Sequence, residues 1–130
     1  HWSNQPLDLP AMTEAASALI GTHDFVCFAS SGSAVKTTVR TLSHARIISR
    51  RRGLAIVVQG DGFLYNMVRI IAGSLVEIGR GARAPQSIDE AFSSGDRALT
   101  GPTLGPQGLR LEWIEHDVIG FQMLYIMLIV

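Results

Sequence analysis

A run of apolar residues at helical spacing lies between two pairs of glycines. Gly60 and Gly62 read as a turn in front of it, and Gly79 and Gly81 as stop signals behind it. Leu64, Met67, Val68, Ile71, Leu75 and Ile78 fall on one face of a helix of about four turns. Ile70 and Val76 widen that face, leaving a narrow strip of Asn66, Arg69, Gly73, Glu77 and Arg80. A helix apolar on most sides is buried. Arg69 therefore lies in a mostly buried helix, with Gly73 leaving room one turn on. A buried guanidinium without a partner is costly, so Arg69 is expected to face an acid or a phosphate. Ala72 and Gly73 stand three and four residues on, so that partner comes from elsewhere.

The chain has 130 residues, 47% of them hydrophobic, which suits one domain with a core and argues against global disorder. Net charge is zero, but the charge is not evenly spread. Between Lys36 and Arg83 nine basic residues stand against Asp61 and Glu77, a net of +7, which leaves −7 for the rest. Such asymmetry points to a nucleic-acid partner, although a solvated basic face gives the same pattern. Cys27 is alone, so neither an intramolecular disulfide nor a cysteine-based zinc site is expected. Val26 and Phe28 beside it suggest a packed thiol. The opening His-Trp-Ser-Asn has no initiator Met and no basic leader, which suggests a piece of a longer chain in a reducing, cytoplasmic setting.

Asp8 is a good N-cap for a packing helix over roughly residues 9–20, with Pro10 in its first turn and Gly21 at its end. His23 beside Asp24 suggests acid–base chemistry. The preferred reading is a polar turn pinned by Phe25 and Phe28. Residues 30–34 read as a small-residue loop. A strand follows from Thr37 to about Arg50. One parity holds Arg40, His44, Arg46 and Arg50, interrupted by Leu42 and Ile48; the other holds Val39, Thr41, Ser43, Ala45 and Ile47. Arginines about 7 Å apart along one strand face suit a phosphate backbone. Arg51-Arg52-Gly53 makes a hairpin turn, and Leu54 to Gln59 returns as a central strand. Ser87 and Glu90 form a capping box for a short helix that Gly95 stops. Residues 100–108 are loop, and Leu109, Leu111 and Trp113 alternate with Arg110 and Glu112 as a strand with one buried face. The last 13 residues, 118–130, form an apolar tail, short of the about 20 that a membrane span needs.

Gly60-x-Gly62-Phe63-Leu64-Tyr65-Asn66-Met67-Val68-Arg69-x-Ile71-x-Gly73 closely resembles the signature of the TruA family of tRNA pseudouridine synthases. Gly21-x-His23-Asp24-Phe25, Thr38-Val39-Arg40, Asp96-Arg97 and Gly101-Pro102-Thr103 resemble further elements of the family. The glycine-proline loop is shifted by one residue from the family pattern. The resemblance covers Trp2 to about Ile114 and matches only the second half of the family.

The resemblance implies an α+β fold, an antiparallel sheet with packed helices, as one half of the pseudouridine synthase fold. Residues 1–117 would be that domain, and 118–130 an atypical tail. It implies a cytoplasmic, RNA-binding isomerase of tRNA modification, acting on uridines of the anticodon stem-loop. An aspartate breaks the glycosidic bond of a flipped-out uridine and the base is rejoined through carbon, with no metal or organic cofactor. Arg69 would pair with that aspartate. The family's Gly-Arg-Thr-Asp pattern, which carries it, does not occur here, so the isolated chain is expected to be inactive. Tyr65, Asn66, Gly108 and Leu109 would bind substrate; Arg40, His44, Arg46 and Arg50 would contact RNA. Implied partners are tRNA, the upstream catalytic domain and, where the fragment dimerises as the family does, a second copy; no membrane is expected. Two other classes of reading stand beside this one. The first is a non-catalytic RNA-binding module, motivated by the basic strand face. The second is a truncated structural fragment whose apolar tail drives association.

Overall fold

A computed structural model describes residues 6–30, 35–51, 53–105, 109–115 and 122–128, the last two segments as backbone. Most of the 30–34 loop, Arg52 in the hairpin turn and Gly108 lie outside the described residues. The expected α+β class is what the chain adopts. Three helices, α1 (Leu9–Ser17), α2 (Met67–Gly79) and α3 (Ser87–Ser94), accompany five strands. These are β1 (Gly21–Asp24), β2 (Val39–Ser49), β3 (Leu54–Gly60), β4 (Leu109–Glu115) and β5 (Gln122–Leu128). They make one antiparallel sheet in the order β1-β2-β3-β5-β4.

The core lies on one face of the sheet. Leu42, Ala45, Leu54, Ile56 and Val58 from β2 and β3 meet Met12, Ala15 and Ala16 of α1 and the apolar face of α2. A 13-residue helix is marginal in water by itself. α2 is held by burial: Met67, Ile70, Ile71 and Leu75 are fully buried, each contributing about 1.5–3 kcal/mol. At its far end α1 crosses so closely that a Cβ on Gly79 would come within 2.6 Å of the Met12 sulfur. The Asp8 amide donates to the Gly79 carbonyl, 2.8 Å, and the Asp8 carboxylate caps α1 at Ala11, as expected of that residue.

Several local expectations are corrected. α1 stops at Ser17, because Ala18 and Leu19 tighten into a turn on the carbonyls of Ala15 and Ala16. Gly21–Asp24 is a strand paired to β2, not only a turn; the polar turn begins after it. There the Asp24 carboxylate accepts from the Val26 amide and the Thr38 hydroxyl, starting a 3₁₀ turn over Phe25–Phe28. α3 has no capping box: its first turn grows out of the Pro85-Gln86 turn, so the Ser87 backbone is already helical. Gly95 ends α3 at φ +69°, as its position predicts.

The largest correction is in β2. Its pairing with β3 slips between Leu42 and His44, leaving Ser43 as the extra residue of a β-bulge. The bulge reverses the parity of the strand, so both Leu42 and Ala45 reach the core. Arg40 lies on the Leu42 side, whereas His44, Arg46 and Ile48 point the other way. The single row of four basic residues is therefore broken in two. Asp61 fixes the bulge: its amide donates to the Thr41 carbonyl, 3.1 Å, and its carboxylate accepts from the Thr41 amide, 2.9 Å. Gly60 allows this close pairing, since a Cβ there would meet the Thr41 carbonyl at 2.8 Å.

β3 is central, as its composition predicts, with β2 on one side and β5 on the other. β5 comes from the apolar tail. Seven of its residues pair with Leu54–Gly60 on one edge and with Leu109–Glu115 on the other. The sheet thus continues past residue 117. Among the described residues no helix is long and apolar enough to cross a membrane.

Candidate functional site

Arg69 lies in the first turns of α2, on the strip that the apolar period leaves over. Its guanidinium is half-buried, and Nη1 donates to the carbonyl of Leu104, 3.1 Å away. The expected acidic partner is not among the described residues: Glu77, further along the strip, is paired with Arg83 at 2.5 Å. The acceptor that holds the guanidinium here is a neutral carbonyl from a distant loop. Partial exposure lets water share the charge that this carbonyl does not compensate.

The loop that supplies this carbonyl, residues 100–104, lies directly on α2. The Leu104 amide donates back to the Arg69 carbonyl, 3.2 Å. The Gly101 amide donates to the Ser74 hydroxyl, 2.7 Å, which in turn donates to the Ile70 carbonyl, 2.7 Å. Backbone meets backbone in between. A Cβ on Gly73 would collide with the carbonyl of Pro102, and one on Gly101 would lie 2.6 Å from the Ser74 amide nitrogen. The room beside Arg69 that Gly73 provides is filled by this loop.

The other end of the loop is held by Arg97, a residue to which the sequence reading gave no role. Its Nη1 donates to the Thr100 hydroxyl and the Gly101 carbonyl, both 2.7 Å, and its Nη2 to the Thr103 hydroxyl, 3.4 Å. Thr100 is buried and its hydroxyl reaches the Cys27 carbonyl, 2.9 Å. A single arginine with several main-chain and hydroxyl acceptors resembles a clasp. The available signal was its place four residues before a Gly-Pro-Thr loop, where a long donor can bridge a turn.

At the N-terminus of α2 the backbone of Asn66 is left-handed, φ 59°, and Asn66 makes no side-chain cap. Its side-chain Nδ2 instead donates to the Ser30 hydroxyl, 3.0 Å, while the Ser30 backbone amide donates to the Tyr65 carbonyl, 3.1 Å. A left-handed non-glycine residue is costly, and asparagine tolerates it best. Here it turns Tyr65 outward, 63% exposed. Phe63 is half-buried and packs on the core. Leu109 is the first residue of β4, paired with Leu128.

The two carboxylates nearest the sequence's other polar motifs are both occupied structurally. Asp24 caps the 3₁₀ turn and Asp61 pins the β2 bulge. His23 stacks on Phe92, centroids 4.2 Å apart, with its Nε2 at 3.0 Å from the Ile20 carbonyl. Cys27 is fully buried, and burial pushes its thiol up to about 11. It is a packed thiol and no nucleophile near neutral pH. On the outer face of β2, His44 and Arg46 are exposed, as is Arg50 just beyond. Arg40 is half-buried and ties its Nη1 to the carbonyls of Thr37 and Val39, 2.8 Å each.

Residues 15–117 match the family model described as tRNA pseudouridine synthase. A tRNA pseudouridine synthase A of Syntrophomonas wolfei is 46% identical over 109 residues, which covers 84% of this chain and 44% of the relative. The tRNA pseudouridine synthase A 2 of Clostridium tetani is 47% identical over 111 residues, 85% of this chain and 45% of the relative. The tRNA pseudouridine synthase A of Geotalea uraniireducens is 48% identical over 105 residues, 81% of this chain and 43% of the relative. The chain spans less than half the length of the curated relatives it matches.

Proposed function

Because this chain belongs to the tRNA pseudouridine synthase family, we propose that it is the arginine-bearing, C-terminal half of such an enzyme, one that isomerises uridine to pseudouridine in tRNA. The observation that carries this reading is Arg69. Its guanidinium is anchored at one nitrogen by Leu104, and among the described residues no carboxylate accepts from it. An arginine held in place yet unpaired with an acid suits a carboxylate arriving from the other half of the protein. Such a pair keeps the acid ionised and fixes its geometry through two parallel hydrogen bonds. The aspartate of the other half would then act on a uridine that has been flipped out of its stack, since the reacting atoms are inaccessible within it.

The remaining site residues take supporting roles in this reading. Tyr65 is exposed at the N-terminus of α2, next to Asn66, and its carbonyl accepts from the Ser30 amide. A ring in that position gives a nucleobase a stacking surface. Gly108 and Leu109 follow the loop that Arg69 holds and would line the uracil pocket. Arg46 and Arg50 give the phosphate backbone positive charge on the outer face of β2, with the His44 imidazole beside them as a further contact. Arg40 would meet RNA only from the opposite side of that strand. The substrate would be the anticodon stem-loop of tRNA, bound by the joined halves in the cytoplasm, with a second copy as the partner where the family's dimer forms.

Adding the upstream half in trans, or fused in one chain, tests the reading. Pseudouridine should form in an unmodified tRNA transcript only when both halves are present. Formation by this chain alone would mean that one of its own acids does the work.

A further inference from the structure

We propose that Arg97 is a positioning residue for Arg69, acting through the 100–104 loop; the proposal rests on the active-site reading of Arg69 given above. Arg69 and Arg97 grip one short segment, Arg69 at its last residue and Arg97 at its first two and at Thr103. Arg69 holds Leu104 by two hydrogen bonds, amide to carbonyl and guanidinium to carbonyl. Arg97 holds Thr100, Gly101 and Thr103. Between them the segment rests on the backbone of Gly73 and on the Ser74 hydroxyl, with no room for a side chain at either glycine. The segment therefore transmits displacement instead of absorbing it. If its Arg97 end loosens, the Leu104 carbonyl shifts, and the guanidinium that it orients turns with it.

The chemistry makes this link consequential. Nη1 is committed to Leu104, so the direction of Nε and Nη2 is set by where that carbonyl sits. A carboxylate paired to the remaining edge needs both its bonds in plane. Misplacement by about 1 Å costs up to roughly a hundredfold in rate. Lysine at position 97 keeps the charge but cannot hold three acceptors in one plane. Arg97→Lys thus separates the loop's geometry from the loop's electrostatics.

The test is a double-mutant cycle in the complete enzyme, with Arg97→Lys made on wild-type and on Arg69→Lys backgrounds. On the wild-type background Arg97→Lys should lower kcat by roughly tenfold to a hundredfold while KM for tRNA changes little. On the Arg69→Lys background, where the fork is already lost, it should add less than about twofold. A second readout needs no chemistry. In arginine side-chain NMR of this chain, Arg97→Lys should move the Arg69 guanidinium signals while the backbone amide spectrum of α1 stays in place. Unchanged kcat with Arg97→Lys, an equal loss on both backgrounds, or unmoved Arg69 signals would each overturn the proposal. An Arg69→Ala enzyme with full turnover would instead overturn the reading of Arg69 itself.

Discussion

Arg69 and Leu104, 35 residues apart, are bonded to each other twice: the Leu104 amide to the Arg69 carbonyl at 3.2 Å, and Arg69 Nη1 to the Leu104 carbonyl at 3.1 Å. A helix residue and a loop residue thereby share main chain and side chain. The first bond fixes the loop against α2. The second fixes the guanidinium against the loop. The arginine is set in place before any acid reaches it, and the arrangement gives it one free edge. The consequences below follow from that arrangement and from the surfaces around it.

Gly73→Ala should destabilise the chain by about 1–3 kcal/mol, because its new Cβ would run into the Pro102 carbonyl and the loop must lift. Gly105→Ala is the control: among the described residues nothing lies within 4 Å of a Cβ there, so its change should stay within about 0.5 kcal/mol. Urea unfolding of the two variants reads the difference. Similar midpoints would mean that the loop is not seated on α2.

Ser74→Ala should cost about 1–3 kcal/mol, since the buried Gly101 amide loses its acceptor. Hydrogen exchange at the Gly101 amide should quicken in the same variant, while exchange in β3 changes only with global stability.

The bulge at Ser43 makes the two groups of basic residues on β2 distinguishable. Arg46→Ala and Arg50→Ala together should weaken RNA binding and reduce the slope of log K against log salt by about 0.7 per lost contact. Arg40→Ala should leave that slope nearly unchanged, because its guanidinium is spent on Thr37 and Val39 and lies on the other side of the strand. Equal effects of all three would restore the single basic row that simple alternation implies.

The raised Cys27 thiol gives a stability change with a defined sign. In the folded chain it holds its proton to about 11, from an ordinary value of 9.0, chiefly because burial disfavours the thiolate. The unfolded chain ionises first as pH rises. Its contribution to stability is therefore complete below pH 9 and is lost progressively toward pH 11. Cys27→Ala shifts stability at all pH values through its cavity, so the test is the slope. Wild type should lose stability faster than the variant across that window.

Much of this was legible in the residues. The apolar period of α2 gave its burial, its glycine ends and the odd position of Arg69, and Gly73 marked the space beside it that the loop fills. The hairpin and the central place of β3 followed from β-branched runs and a glycine turn. The β2 bulge was not legible, because nothing in strict alternation marks the residue at which parity reverses. Its cause is an Asp61 side chain bonded to a backbone 20 residues away. Nor was the partner of Arg69, since a carbonyl acceptor carries no residue type. Arg97 was missed for the same reason: its three acceptors are one main-chain carbonyl and two threonine hydroxyls. The tail's place as β5 depends on a long-range pairing that a short apolar run does not specify.

The most direct test is turnover by the joined halves with Arg69 replaced. Pseudouridine formation in an unmodified tRNA transcript, read by carbodiimide adducts that stop reverse transcription, should fall by at least about a hundredfold with Arg69→Ala, while tRNA binding is kept. Arg69→Lys should recover little, because a single ammonium cannot form the planar two-bond pair. Full turnover with Arg69→Ala would contradict the account, and the anchored guanidinium would then be a structural clasp for the 100–104 loop and nothing more.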